Sequence, residues 1–394
     1  MKRTIVILAA VIAAGTTAMA SDYDKALNML VSNNLEARSA SLKGSADAAA
    51  LRAENQLGGP EAEFSRVWGS NAEVGNKWAL SVSQGFDWPG LYTARRKAAQ
   101  SAESAAEFLR ASTMLDARRD ARLLLNEYIR NTQLLDLQMQ YAARIDSMAA
   151  YYKRASDEGL ETRLDYNKTA IERLAVHRDL HQLEREQKAI KVRLQAFNGG
   201  RDIGEIVALA GTDYPEVNRE ALAGVLAGLA ERDPAYAAAQ QQAETARRMV
   251  KVEKLSALPG FSLGYVHETE LGGDFNGFSV GLSLPSWSRK HSRRAAMLEA
   301  EMAQIDAEAA LNQKRASLEE DLVQLDYYEH NLSEYAAIVA DKSIYDLLKK
   351  ALVAREINFL NYMEEINYFM QANREFIDLQ FEYQQAMARL KYYE

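Results

Sequence analysis

PGFSLGYVHETELGGDFNGFSVGLSLP, residues 259–285, decides the fold. Phe261, Leu263 and Tyr265 alternate with Ser262 and Gly264, and Phe278, Val280, Leu282 and Leu284 alternate with Ser279, Gly281 and Ser283. Period two is the signature of a strand. Proline bounds the stretch at both ends, and a polar, Gly-containing turn (Glu270 to Gly277) separates its two runs. It reads as a β-hairpin with one bulky apolar face and one face of Ser and Gly.

Working outward, a second such stretch spans 60–89. Trp78, Leu80 and Val82 alternate with Ala79, Ser81 and Ser83, and a less regular run over about 61–69 places Phe64 and Trp68 on a face with Arg66. The turn lies between Gly69 and Gly75. Pro60 and Pro259 stand 199 residues apart, and Pro89 and Pro285 stand 196 apart. Further on, Arg163-Leu164-Asp165-Tyr166 aligns with Phe359-Leu360-Asn361-Tyr362 at 196; upstream, Asn33-Asn34-Leu35 aligns with Arg232-Asp233-Pro234 at 199. The chain is an internal duplication of one unit: helix, hairpin, very long helix, tight break, shorter helix. The first repeat is 21–197, a linker or equatorial segment is 198–217, and the second repeat is 218–394.

Between the hairpins, helix breakers are sparse. Of six prolines, four flank the hairpins; glycine is missing between Gly90 and Gly159 and after Gly281. The spacing predicts helices over about 22–57, 91–157, 161–197, 218–257, 287–353 and 357–392. At 1.5 Å per residue the segment 91–157 is about 100 Å long and must pack lengthwise against other helices.

Residues 1–20, MKRTIVILAAVIAAGTTAMA, combine Lys2 and Arg3, an apolar run and an Ala18-Met19-Ala20 site. This is the pattern of a secretory signal peptide cut before Ser21. Its removal takes the formal charge from −8 to −10 by losing Lys2 and Arg3. There is no cysteine, hence no disulfide framework. A mildly acidic, interspersed charge pattern argues against nucleic acid. No run of 18 apolar residues follows, but an exported chain can also enter a membrane as a β-barrel. The tryptophans Trp68, Trp78, Trp88 and Trp287 lie in or beside the hairpins, as a membrane-interface girdle requires. Four strands cannot close a barrel, and open edges in lipid leave backbone groups unsatisfied. A membrane reading therefore forces several copies to share one barrel; three would supply 12 strands.

The duplicated helix–hairpin–helix unit, the pairs Trp88-Pro89 and Leu284-Pro285, and the helix break Gly159-Leu160-Glu161-Thr162-Arg163-Leu164-Asp165 resemble the TolC-type outer-membrane efflux protein family over nearly the whole mature chain. The resemblance implies a mainly α fold with a small β part. As a homotrimer it would form a 12-stranded outer-membrane β-barrel and a long periplasmic α-helical coiled-coil barrel. It implies a non-enzymatic exit duct working with a periplasmic adaptor (membrane fusion) protein and an inner-membrane transporter, seated in outer-membrane lipid, with no cofactor. The same features fit a duct for protein secretion, and a structural periplasmic coiled-coil stalk would explain the long helices alone.

Helix breaks at the far end of a long rod are its exposed irregular backbone, which makes Gly159, Leu160, Arg355 and Glu356 the candidate adaptor-docking tips. At the second tip Arg355 and Asn361 replace the family's Gly and Asp. The resemblance places gate carboxylates six and nine residues after the usual Gly, so the candidate periplasmic gate is Asn361, Glu364 and the adjacent Glu365. Other chemistry is set aside. Gly260-Phe-Ser-Leu-Gly264 and Gly277-Phe-Ser-Val-Gly281 match a G-x-S-x-G pattern, but in mid-strand rather than on an elbow. His177 and His181, one turn apart, read as a solvated helix face rather than a metal site. The clusters Arg95-Arg96-Lys97 and Arg289-Lys290-His291-Ser292-Arg293-Arg294 follow the two hairpins and suit contact with lipid headgroups.

Overall fold

The computed structural model describes residues 21–70, 75–215, 222, 224–270, 272–284, 289–340 and 343–390. Residues 1–20, where the sequence predicts a signal peptide, Pro285 and Trp287 lie outside them. In chain order the elements are α1 (Asp22–Asn33), α2 (Leu35–Ala53), β1 (Glu61–Trp68), β2 (Asn76–Phe86), α3 (Pro89–Asp157), α4 (Arg163–Phe197), α5 (Gly204–Ala210), α6 (Leu229–Arg232), α7 (Pro234–Ser256), β3 (Gly260–Glu270), β4 (Gly273–Ser283), α8 (Arg289–Val339), α9 (Ser343–Val353) and α10 (Phe359–Leu390). Among the described residues no helix is long and apolar enough to cross a membrane.

The two hairpins join in one antiparallel sheet of order β1-β2-β3-β4, the β2–β3 pairing linking the two repeats. Each strand continues a helix, and the helices keep the same order: α2 packs on α3, α3 on α7 and α7 on α8. Leu91, Ala94, Ala98 and Val252 form the core of the α3–α7 seam beneath the sheet. On the other side of the molecule's waist, α4 and α10 pack on α3, and α10 packs on α8. The 69-residue α3 spans both layers, a length that only lengthwise packing sustains.

Three expected helices are interrupted. The helix expected over 22–57 breaks at Asn34, whose ψ of 115° leaves the helical region while its side-chain oxygen accepts the Ala37 N–H at 2.7 Å and starts α2. In 218–257 the break falls at Asp233, 199 residues on, where the carboxylate accepts the Ala235 N–H at 2.9 Å and Pro234 opens α7. The helix expected over 287–353 is two, α8 and α9. The 198–217 segment is not a bare linker, because it holds α5.

Two cores sit at the waist. The first gathers Tyr23, Leu27 and Leu30 of α1, Leu125 and Ile129 of α3, Ile190 and Leu194 of α4, and Ile206 of α5. The second gathers Leu222, Leu229, Leu318, Leu325, Ala386 and Leu390. They correspond at several positions: Leu30 with Leu229 at 199, and Ile129 with Leu325, Ile190 with Ala386 and Leu194 with Leu390 at 196, whereas Leu125 is answered by Asp321 and Leu318 by Arg122. The duplication is therefore written in the packing as well as in the order of elements.

Candidate functional site

The sheet sorts its side chains by face. Directly opposed partners in an antiparallel pair share a face. The register opposes Phe64 to Leu80, Leu80 to His267, Val82 to Tyr265, Phe86 to Phe261, Leu263 to Val280, and Tyr265 to Phe278. The large apolar residues of β2, β3 and the second half of β4, Val266 excepted, thus lie on one face, and nothing among the described residues covers it. Phe278 is 91% exposed, Val280 77% and Phe64 65%. Such a contiguous bare apolar surface marks a membrane or protein contact.

The other face is built from small residues. Gly260 opposes Ser283, Ser262 opposes Gly281, and Gly264 opposes Ser279. A Cβ on Gly264 would stand 2.5 Å from Ser279 Oγ and 2.9 Å from the Val82 carbonyl oxygen, and a Cβ on Gly281 would strike Ser262 Oγ. Side chains crowd in this way on the inside of a curved sheet, so Gly and Ser alternate where bulk has no room. Ser262 and Ser279 are therefore packing residues in mid-strand. Nearer the turns this face carries charge, with Lys77 Nζ 2.8 Å from Glu268 and 3.7 Å from Glu270.

The described tryptophans fall in two tiers. Trp68 ends β1 opposite Asn76 at the turns, and Trp78 lies close by, its ring 5.0 Å from that of His267 and 6.2 Å from that of Phe64. Trp88 lies at the helix end, 5.9 Å from Phe261. Trp88 follows Trp78 by ten residues, the strand running as far as Phe86, about 33 Å if fully extended. Below them Arg95 pairs with Asp87 at 2.7 Å, while Arg96, Lys97, Lys290, His291, Arg293 and Arg294 are exposed.

At the far end of α3 the structure brings the two helix breaks together. Tyr152 of α3 packs edge-on against Phe359 of α10 at 4.8 Å, and both belong to a core with Ile145, Val176, Tyr362, Met363 and Ile366. Burial, with the charges of Glu161 and Asp165, raises the Tyr152 hydroxyl pKa to about 12. At the first break Gly159 has φ +75°, the Leu160 N–H donates to the Ala155 carbonyl at 2.7 Å, and the Gly159 N–H donates to that of Ser156 at 3.2 Å. At the second break Arg355 has φ +61°, the Glu356 N–H donates to Ala351 at 2.9 Å, and the Arg355 N–H donates to Leu352 at 3.1 Å. Both are Schellman turns, offset by 196 at every atom pair. The caps that follow are offset alike: Thr162 Oγ1 accepts the Asp165 N–H, and Asn358 Oδ1 accepts the Asn361 N–H. The departure from Gly and Asp at the second tip thus leaves the turn intact. Leu160, Leu164, Val353 and Leu360 are exposed on these tips, as are Arg355 and Glu356.

Asn361, Glu364 and Glu365 begin α10 and are exposed, on the side opposite the buried Tyr362, Met363 and Ile366. His177 and His181 are not joined at one site: His177 Nε2 lies 3.0 Å from Asp146, which also accepts from Arg173, whereas His181 contacts Glu184. Those contacts hold the Asp146 carboxyl below the usual range, the bond from His177 first. Among the described residues no group of three or more His, Asp or Glu is arranged to hold a metal.

One polar seam was not singled out from the sequence. Arg144 stacks 3.8 Å over the Tyr345 ring, Tyr141 Oη donates to Asn367 at 2.9 Å, Arg374 reaches Gln138, and Arg130 Nε meets Asp378 at 2.6 Å. These contacts fasten α9 and α10 to α3. Their only signal is isolated polar residues recurring within apolar helical stripes.

No protein-family model matches the chain, and no curated protein matches it in sequence. Solved structures do. A membrane protein from Pseudomonas aeruginosa superposes with a TM-score of 0.79 at 16% identity, over 94% of this chain and 89% of that one. The Campylobacter jejuni CmeC outer membrane channel gives 0.77 at 14%, over 94% and 85%. The outer membrane protein VceC of Vibrio cholerae gives 0.73 at 14%, over 93% and 94%. The chain has the fold of an outer-membrane channel protomer. More narrowly, that fold is the TolC type, a duplicated hairpin-and-long-helix unit.

Proposed function

We propose that the chain is the outer-membrane exit duct of a tripartite efflux system, passing substrates from an inner-membrane transporter and periplasmic adaptor to the outside. The observation that carries this is the sheet: the large apolar side chains of β2 and β3, Val266 excepted, on one bare face, mainly Gly and Ser on the other, and both outer edges unpaired among the described residues. Water does not favour that face, and lipid does not tolerate those edges. Three copies joined edge to edge would close a 12-stranded barrel with Ser and Gly inside, its tryptophan girdle at the two interfaces, and exported and processed by way of residues 1–20. A periplasmic stalk has no use for the apolar face.

In this reading the tips around Gly159-Leu160 and Arg355-Glu356 meet the adaptor. The exposed Glu364 and Glu365 ring the periplasmic entrance behind Asn361, which favours cations in a narrow pore. The test is a deletion strain complemented with variants. Wild type should restore resistance to the pump's substrates; Gly159→Trp should not, while still reaching the outer membrane as trimer. Full resistance in the deletion strain, or with Gly159→Trp, contradicts the reading.

A further inference from the structure

The two tips are the same turn with opposite charge. Over 153–165 the first carries Lys153, Arg154 and Arg163 against Asp157, Glu158, Glu161 and Asp165, a net −1. Over the corresponding 349–361 the second carries Lys349, Lys350 and Arg355 against Glu356 alone, a net +2. The difference is made in the turn itself. Asp157, Glu158 and Gly159 are answered at 196 by Val353, Ala354 and Arg355. Asp157, Glu158, Lys349, Lys350 and Arg355 are all exposed.

Arg355 also sits where a side chain is least welcome. Among the described residues it is the one non-glycine with positive φ, in a conformation that Gly159 adopts freely at the first tip. A strained residue at an exposed tip, bearing the charge its twin lacks, points to a use for that charge. The acidic side is equally local, since the charges of Glu161 and Asp165 reach Tyr152, which packs on Phe359 of the second tip.

We propose that the tips form a two-sign docking code: Arg355 with Lys349 and Lys350 receives an acidic element of the adaptor, and Asp157 with Glu158 receives a basic one. This rests on the adaptor-docking reading above and adds partner chemistry to it. In a trimer the tips alternate in sign around the rim, so a partner ring fits in one rotational register and is refused a half-step away by like charges. The exposed Leu160 and Leu360 supply sign-blind contact on both tips.

The test uses the full-length protein in its own cells, with a photo-crosslinking residue at Leu160 or at Leu360 and an epitope-tagged periplasmic adaptor protein of those cells as the probe. Both positions should crosslink to the adaptor. Arg355→Glu should lower the yield at Leu360 about tenfold, because three exposed ion pairs act together on one assembly. Arg355→Lys should restore it, and Arg355→Gly, which keeps the turn, should fall between. Asp157→Lys with Glu158→Lys should lower the yield at Leu160 instead. Heat-modifiable trimer in outer-membrane fractions confirms that each variant is folded. Crosslinks that form at both positions but ignore every charge change overturn the code and leave tip docking standing. Absence of adaptor crosslinks at both positions, with trimer present, overturns tip docking and the code with it.

Discussion

The two repeats match at several core positions and differ most at their ends. At the waist Ile129 and Leu325, or Leu194 and Leu390, occupy matched positions at fixed offset, each nearly or fully buried. At the tips the same offset pairs Gly159 with Arg355 and acids with neutral residues. Between waist and tip, α3 runs unbroken where its counterpart is divided into α8 and α9. Packing leaves less freedom than an exposed surface once a unit is duplicated, because a core must stay filled and free of overpacking. An exposed turn constrains only backbone geometry, so its side chains diverge as soon as the backbone is satisfied.

The largest expected effects test the match of the cores. Ile129→Ala and Leu325→Ala should each destabilise the folded protein by about 2–5 kcal/mol, and by similar amounts. Unequal losses in denaturant unfolding of the detergent-solubilised protein would show that the two waists are packed differently. On the sheet, Val280→Arg or Leu282→Arg in the second repeat, and Leu80→Arg or Val82→Arg in the first, should each cost about 2–4 kcal/mol near the bilayer midplane. Ala substitutions at Ser279 and Ser283 on the other face should be mild. Folding titrations into vesicles measure this, and equal tolerance on both faces would remove the assignment of the apolar face to lipid.

Much of this was legible in the sequence, for identifiable reasons. Period-two alternation bounded by proline found three strands directly. The fourth, β1, was blurred by Arg66 among its apolar residues. The long helices follow from missing breakers, but the same reasoning hid the breaks. Asn34 ends α1 by rotating one ψ without any Gly or Pro to mark the break, and the end of α8 likewise carries neither. Gly204–Ala210 is a single short helix whose pattern is too brief to register. The second tip is readable only through its offset from the first, since Arg355 by itself signals no turn. The Gly–Ser interlock of β3 and β4 and the Arg144–Tyr345 stack depend on register and on packing between distant segments, which no local pattern encodes.

Smaller effects sharpen the contrast of the tips. Gly159→Ala should cost about 1–2 kcal/mol, the penalty for a Cβ in the left-handed region. Arg355→Gly should release that strain and recover at most about 1 kcal/mol, because glycine also loosens the unfolded chain. Opposite signs in thermal unfolding of the two variants are the expected result. Smallest is Asp146, held by His177 and Arg173. Its folded pKa lies below the unfolded value of about 3.9, so its contribution is present above that pH and is lost as pH falls through the lower folded value. The contact is partly exposed, so Asp146→Asn should cost about 0.5 kcal/mol at pH 7, and the cost should shrink as pH falls through the lowered folded pKa.

Single-channel recording in planar bilayers tests the central claim most directly. Protein extracted from the outer membrane with detergent should insert and give discrete conductance steps that prefer cations. Glu364→Gln together with Glu365→Gln should lower that preference and weaken block by multivalent cations. Unchanged selectivity in the double variant would remove the gate assignment and leave the channel intact. A chain that stays soluble without detergent and produces no conductance steps would contradict the account of the apolar sheet face as a barrel wall.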